Sequence, residues 1–254
     1  MDCPVPLHVH DERFCVRAYE SGVNNQVTLQ ALCNYLQEAA GNHARTLGVG
    51  IHALQSAGFT WMLARLHLEI SRYAAWRETI RLRTWPSGVR GRLTALRDFQ
   101  MVDETGATLL RGVSEWLYVD TAAQRIVRLP PSFALLAPEG TPRATAMEPP
   151  DKLPDIVTPE WSTAIIVRHS DHDFNDHVNN VHYAAWALEC LPDTWRAQRR
   201  MGRIDIAFRA AARWGDTVTS EAARETAGCD ATLIHRIRRD ADGAVLAQAR
   251  TCWR

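Results

Sequence analysis

The sequence predicts an α+β protein built from two successive copies of a small domain, each a long helix followed by antiparallel strands. Three observations carry this. Blocks of sequence recur in the same order in the two halves, apolar residues are spaced for one helical face, and later segments alternate with period two. Residues 24–38 (NNQVTLQALCNYLQE) match residues 175–189 (NDHVNNVHYAAWALE), with Asn24, Val27 and Glu38 recurring as Asn175, Val178 and Glu189. Further on, WRETI at 76–80 matches WGDTV at 214–218, and DETGATLLRGVSEW at 103–116 matches DADGAVLAQARTCW at 240–253. Three blocks in one order point to a tandem duplication, the single-chain counterpart of a symmetric pair.

Each element has a local cause. Leu29, Leu32, Leu36 and Ala39 recur at three- and four-residue steps and line one helical face, with Thr28 as N-cap. Tyr183, Trp186, Ala187 and Cys190 do the same in the second half, with Asn179 as cap and Pro192 as the stop. In RLHLEI, Leu66, Leu68 and Ile70 face one way and Arg65, His67 and Glu69 the other. In TIRLRTW, Ile80 and Leu82 alternate with Arg81 and Arg83. Asp-Glu-Thr-Gly at 103–106 and Asp-Ala-Asp-Gly at 240–243 supply hairpin turns. There is none of the βαβ alternation of a parallel sheet. Eight of the 12 prolines lie between Pro130 and Pro159, which marks a linker. The expected domains are residues 1–135 and 161–254, joined by residues 136–160.

Composition limits the function classes. The 254 residues are 46% hydrophobic and 23% charged, an ordinary globular balance. The 29 basic residues, all but Lys152 arginine, equal the 29 acidic ones, which disfavours a nucleic-acid partner. No segment has the ~20 apolar residues of a membrane span, and the N-terminus lacks a signal-peptide apolar run. Cys3, Cys15, Cys33, Cys190, Cys229 and Cys252 are widely spaced with no CxxC pair and read as reduced thiols. The expectation is a cytoplasmic protein.

The densest polar cluster is HSDHDFNDHVNNVHYAAWALE, residues 169–189. It places Asp171, His172, Asp173, Asn175, Asp176, His177, Asn179 and Asn180 just before a helix. Amides at a helix N-terminus make an oxyanion site, and a carboxylate and imidazole on the approaching loop can activate a nucleophile beside it. Asp173, Asn175 and His177 sit at alternate positions, so an extended segment would point all three one way. The first copy has Gly22, Asn24 and Gln26 there, with neither acid nor imidazole. Asn179 and Asn180 are the candidate oxyanion amides. Glu38 and Glu189, at equivalent helix positions, are accessory carboxylate candidates.

The segment DFNDHVNNVHYAAWALE resembles the D-x-N-x-H-V-N-N-x-x-Y-x-x-W-x-x-E fingerprint of the acyl-acyl carrier protein thioesterases, a tandem hot-dog family. NYLQEAAGNHARTLGVG (34–50), FTWMLARLHLEISRY (59–73), RTWPSG (83–88) and RDFQMVDETG (97–106) extend the resemblance over nearly the whole chain. The resemblance implies hydrolysis of a fatty acyl group from the phosphopantetheine arm of acyl carrier protein, with no metal or organic cofactor. It implies that Asp173, Asn175 and His177 form the active site of the second hot-dog, that the first hot-dog holds the acyl chain, and that a homodimer forms. One departure stands out. The plant enzymes of the family carry a Glu-Cys pair where this chain has Ala211 and Ala212.

Cys190 is the other sulfur near the motif, on an apolar helix face that favours an inert role. Phe59, Trp61, Met62 and Leu63 are candidates to line an acyl slot. An acidic carrier protein calls for a basic face, for which the candidates are Arg81/Arg83/Arg90/Arg92/Arg97 and Arg196/Arg199/Arg200/Arg203. An acyl-coenzyme A thioesterase, a hot-dog dehydratase and a non-catalytic acyl-thioester binding protein are the competing readings.

Overall fold

The computed structural model describes residues 8–146, 150, 152–173, 175–225 and 231–254. The chain divides into two compact units, Met1–Glu148 and Pro149–Arg254.

In the first unit, β1 (His10–Cys15) precedes α1 (Leu29–Thr46) and the short α2 (Ile51–Ser56). The strands β2 (Phe59–Ile70), β3 (Thr79–Arg90), β4 (Thr94–Asp103), β5 (Thr108–Asp120) and β6 (Arg125–Val127) follow, then α3 (Ser132–Leu136). The sheet runs β1-β3-β4-β5-β2, with β6 paired to β5. Its strands pair antiparallel, with registers such as His10↔Thr84 and Ile80↔Asp103. In the second unit, β7 (Trp161–Ile166), α4 (Asn180–Glu189), α5 (Asp193–Gln198), β8 (Met201–Phe208), β9 (Thr217–Arg224), β10 (Thr232–Arg239) and β11 (Val245–Trp253) follow in turn. Its sheet runs β7-β9-β10-β11-β8. The two orders are the same once each strand is replaced by its counterpart in the repeat. Each unit is a hot-dog, one helix held against an antiparallel sheet.

The helices form for the reasons the sequence gives. Thr28 caps α1, its Oγ1 accepting from the Ala31 amide at 3.1 Å. Leu29, Leu32, Leu36 and Ala39 are all buried. Asn179 caps α4, its Oδ1 accepting from Val181 at 3.2 Å, while Tyr183, Trp186 and Ala187 are buried. The second helix stops at Glu189, and Pro192 is the N-cap position of α5 instead of the terminator itself. Ile80 and Leu82 are fully buried, whereas Arg81 and Arg83 pair with Asp11 on the neighbouring β1. His67 differs from the alternation: Leu66, Leu68 and Ile70 are buried as expected, but His67 on the other face is buried too. Period two reports which residues share a face, and here both faces at that point are covered. Gly106 and Gly243 take the left-handed conformation in the two hairpin turns, at φ 86° and 72°.

The proline-rich stretch is held by both units. In the first, Trp85 Nε1 donates to the Pro142 carbonyl at 2.9 Å and Thr145 Oγ1 donates to Glu69 at 2.7 Å. Asp98, fully buried, accepts from Ser87 Oγ at 2.6 Å, the Ala144 amide at 2.6 Å and Arg143 Nε at 3.1 Å. In the second, Ile156 packs with Ala223 and Ile234, and the Glu160 amide donates to Ala222.

Four cysteines fall among the described residues (Cys15, Cys33, Cys190 and Cys252), and all are free thiols. Cys3 and Cys229 lie outside the described residues. No described helix is long and apolar enough to cross a membrane.

Burial pushes the Asp98 carboxyl pKa up, against the pull of Ser87, Arg143 and Ala144, so its donors compensate a real desolvation cost. Asp98→Ala removes the acceptor that Arg143 and the Ala144 amide share. It is expected to cost about 3 kcal/mol of stability in urea denaturation. A cost under about 1 kcal/mol would show that the 142–145 strap is held by other contacts.

Candidate active site

The polar loop of the second unit is a closed turn, and the extended geometry expected for it does not occur. The Asp173 amide donates to the His177 carbonyl at 2.8 Å and the Asp176 amide to the Asp173 carbonyl at 3.1 Å. Asp176 takes a left-handed conformation with φ 57°, which Asp and Asn tolerate better than most residues. At the base of the turn, His172 and Val178 form an isolated β-bridge and the Asn179 amide donates to the Asp171 carbonyl at 2.9 Å. Before the turn, residues 169–171 make one turn of 3-10 helix, and Asp171 Oδ2 accepts from the Arg168 amide at 2.8 Å.

The first unit repeats this frame bond for bond. The Gly22 amide donates to Gln26 at 2.8 Å, Asn25 to Gly22 at 2.9 Å, and Thr28 to Glu20 at 2.9 Å. Asn25 has φ 59°, and Glu20 Oε2 accepts from the Arg17 amide at 2.8 Å. Gly22 stands where the second unit has Asp173, so the loop forms without that carboxylate.

Within the frame, Asp173 Oδ1 accepts from the Asn175 amide at 2.8 Å and from the His177 amide at 3.5 Å. Asp173 and Asn175 are half-buried and His177 is exposed. Of the two oxyanion candidates, Asn179 already spends its amide on Asp171. Asn180, the first residue of α4, stands where a helix leaves amides without intrahelical partners. Glu189 is exposed at the last position of α4, a ten-residue helix about 15 Å long, and Glu38 is exposed in α1 beside Asn42.

Ala211 and Ala212, where the resemblance leads one to expect Glu and Cys, make structural main-chain bonds. The Ala212 amide donates to Tyr183 Oη at 2.8 Å, and the Ala211 carbonyl accepts from Arg239 at 3.2 Å. Cys190 is half-buried and burial pushes its thiol pKa up, which disfavours the nucleophilic thiolate. Phe59 and Trp61 join an aromatic cluster of the first unit with Tyr118, Phe133 and Leu54, and Met62 is exposed. The first basic cluster is largely neutralised: Asp11 pairs with Arg81 and Arg83, Glu115 with Arg90, and Arg97 is buried against His43. In the second cluster Arg199 lies over the Trp195 ring at 4.1 Å and Arg200 is exposed.

The tandem hot-dog fold is that of solved acyl-ACP thioesterases. A family model of the acyl-ACP thioesterase N-terminal domain matches residues 7–136, and one of the C-terminal domain matches residues 157–254. The chain belongs to the acyl-ACP thioesterase family. It is 29% identical over 280 residues to the chloroplastic oleoyl-acyl carrier protein thioesterase 1 of Arabidopsis thaliana, covering 96% of this chain and 76% of that one. Among solved structures it resembles the 12:0-ACP thioesterase of Umbellularia californica, with a TM-score of 0.86, 24% identity and 99% of both chains covered. It also resembles an acyl-ACP thioesterase from Bacteroides thetaiotaomicron, with a TM-score of 0.85, 22% identity and 97% and 98% of the chains covered.

Since Gly22 supports the same frame, Asp173→Asn is expected to leave stability within about 0.5 kcal/mol of the parent chain. Thermal melts of the two proteins check this. A loss of several kcal/mol would make the carboxylate a structural group first.

Proposed function

We propose that this chain hydrolyses the thioester joining a fatty acyl chain to the phosphopantetheine of acyl carrier protein, and that the residue 173–177 loop of its second unit is the reacting site. The observation that carries the assignment to this loop is the paired comparison. One main-chain frame is built twice, and only one copy adds a carboxylate and an imidazole to it. The first copy closes the same frame with Gly22 and Gln26 at these positions, so the frame itself does not require the acid and imidazole.

The roles follow from position. Asp173 is the central carboxylate, and its Oδ1 is fixed by the Asn175 and His177 amides. It acts on the thioester carbon directly or by holding the water that attacks it. Asn175 orients the carboxylate or that water, and His177 hydrogen-bonds in the same set. The Asn180 amide receives the charge that develops on the carbonyl oxygen. Free fatty acid and the carrier thiol are the products. The acyl chain is held by the first unit, for which the cluster around Trp61 and Phe133 is the candidate wall.

With palmitoyl-carrier protein as substrate and released acid as readout, Asp173→Asn and His177→Ala are expected to lower kcat by about 100-fold or more. Wild-type rates in a folded Asp173→Asn protein would remove the carboxylate from the mechanism. If the parent chain binds acyl carrier but releases no acid, the binding-protein reading takes over, and Ala211 and Ala212 are the residues that favour it. Comparing kcat/KM for carrier-bound and coenzyme A-bound palmitate decides between the two thioester donors.

In the second basic cluster Arg196 and Arg203 pair with Asp193 and Asp205, which leaves exposed Arg200 and the neighbouring Arg199 as its docking candidates for an acidic carrier. Arg199→Glu combined with Arg200→Glu is expected to raise KM for the carrier-bound substrate several-fold while sparing a small acyl thioester. Equal effects on both substrates would exclude this face.

A further inference from the structure

The second unit contains one imidazole–carboxylate pair among its described residues, and it stands at the entrance of α4. His182 is the third residue of that helix, and its Nδ1 lies 3.7 Å from Asp171 Oδ1. Long helical side chains lean toward the helix N-terminus, so the imidazole lies over the turn that enters α4. The Asp171 residue is buried, and the His182 side chain keeps 19% of its surface exposed, so the ring remains accessible. Asp171 is oriented by its other oxygen, which accepts from the Arg168 amide at 2.8 Å.

The first unit has the frame without the pair. Ala31 occupies the place of His182. Glu20, the counterpart of Asp171, accepts from the same backbone position but turns its carboxylate to the Tyr35 hydroxyl at 2.5 Å and to Arg17 at 3.1 Å. The second unit has Trp186 where the first has Tyr35. The structural duty of the carboxylate is therefore common to both copies, and the imidazole partner belongs to the second alone.

The geometry points to His182 as the general base of the hydrolysis, with Asp171 as its positioning residue. This rests on the reading that the second unit's loop hydrolyses the thioester, and it gives Asp173 the task of orienting the water. His182 Nε2 takes a proton from that water as the water oxygen bonds to the carbonyl carbon. The carbon–sulfur bond then breaks, and the same proton passes from Nε2 to the departing pantetheine sulfur. Acid and thiol form, and the imidazole returns to its starting state. Burial pushes the His182 pKa down, against the attraction of Asp171, which keeps the ring in the neutral form a base requires. The 3.7 Å separation is longer than a hydrogen bond, as such pairs often are before substrate binds.

The test uses palmitoyl-carrier protein and four proteins: the parent, His182→Ala, Asp171→Asn and the double variant. Alanine is accommodated in this frame, as Ala31 shows, and thermal melts confirm folding. His182→Ala is expected to lower kcat by about 100-fold with little change in KM, and added imidazole should restore part of the rate. Asp171→Asn should lower kcat in the parent but add almost nothing in the His182→Ala background. A His182→Ala rate within about threefold of the parent overturns the assignment. So does a loss that imidazole leaves untouched, or strictly additive losses in the double variant. A parent chain that releases no acid overturns the thioesterase reading itself, whereas an active parent with an unimpaired His182→Ala variant sinks the His182 assignment alone.

Discussion

The chain must enter its helix with the last amides of the approaching loop satisfied, and a three-part main-chain arrangement meets that demand in both units. A single 3-10 turn offers its third carbonyl to the N-cap amide, at 2.9 Å for Glu20 and Thr28 and 2.9 Å for Asp171 and Asn179. The carboxylate of that third residue caps the turn itself, and a five-residue closure tied by one amide–carbonyl bond lies between. These bonds are made by the backbone and one acid, and a loop side chain adds one more in each unit: Asn24 Oδ1 accepts from the Gln26 amide and Asp173 Oδ1 from the Asn175 amide.

The same logic applies to the segment after β8. Ala212 is buried, and its amide is pinned by the Tyr183 hydroxyl on α4, so the backbone there is held against the helix without any reactive side chain. Tyr183 thus serves the core and the segment after β8 together. A helix that packs on one face and presents its amide end on another needs that segment fixed, and a phenol at the fourth residue of α4 supplies the fixing bond.

Much of this was legible in the sequence. The duplication, both helix starts, the caps Thr28 and Asn179 and the hairpin glycines follow from spacing and residue type, which act locally. The misreadings needed longer-range information. Asp173, Asn175 and His177 read as an extended row because alternation carries no sign of the Asp173–His177 closure. Arg81 and Arg83 looked like a docking face because the sequence does not show that Asp11, some 70 residues earlier, lies on the adjacent strand. The approach of His182 to Asp171 likewise needs the fold, although aligning the two copies sets His182 against Ala31, a change from imidazole to methyl on a shared frame.

The left-handed residue in each loop, Asn25 or Asp176, carries one more implication. A backbone detail retained in both halves while the neighbouring side chains diverged behaves as an inherited socket. Asn24 already matches Asn175, so grafting the Asp173 and His177 side chains at Gly22 and Gln26 is a matter of exchanging two plugs, and the first half becomes a place where a second chemistry could be installed without rebuilding its fold.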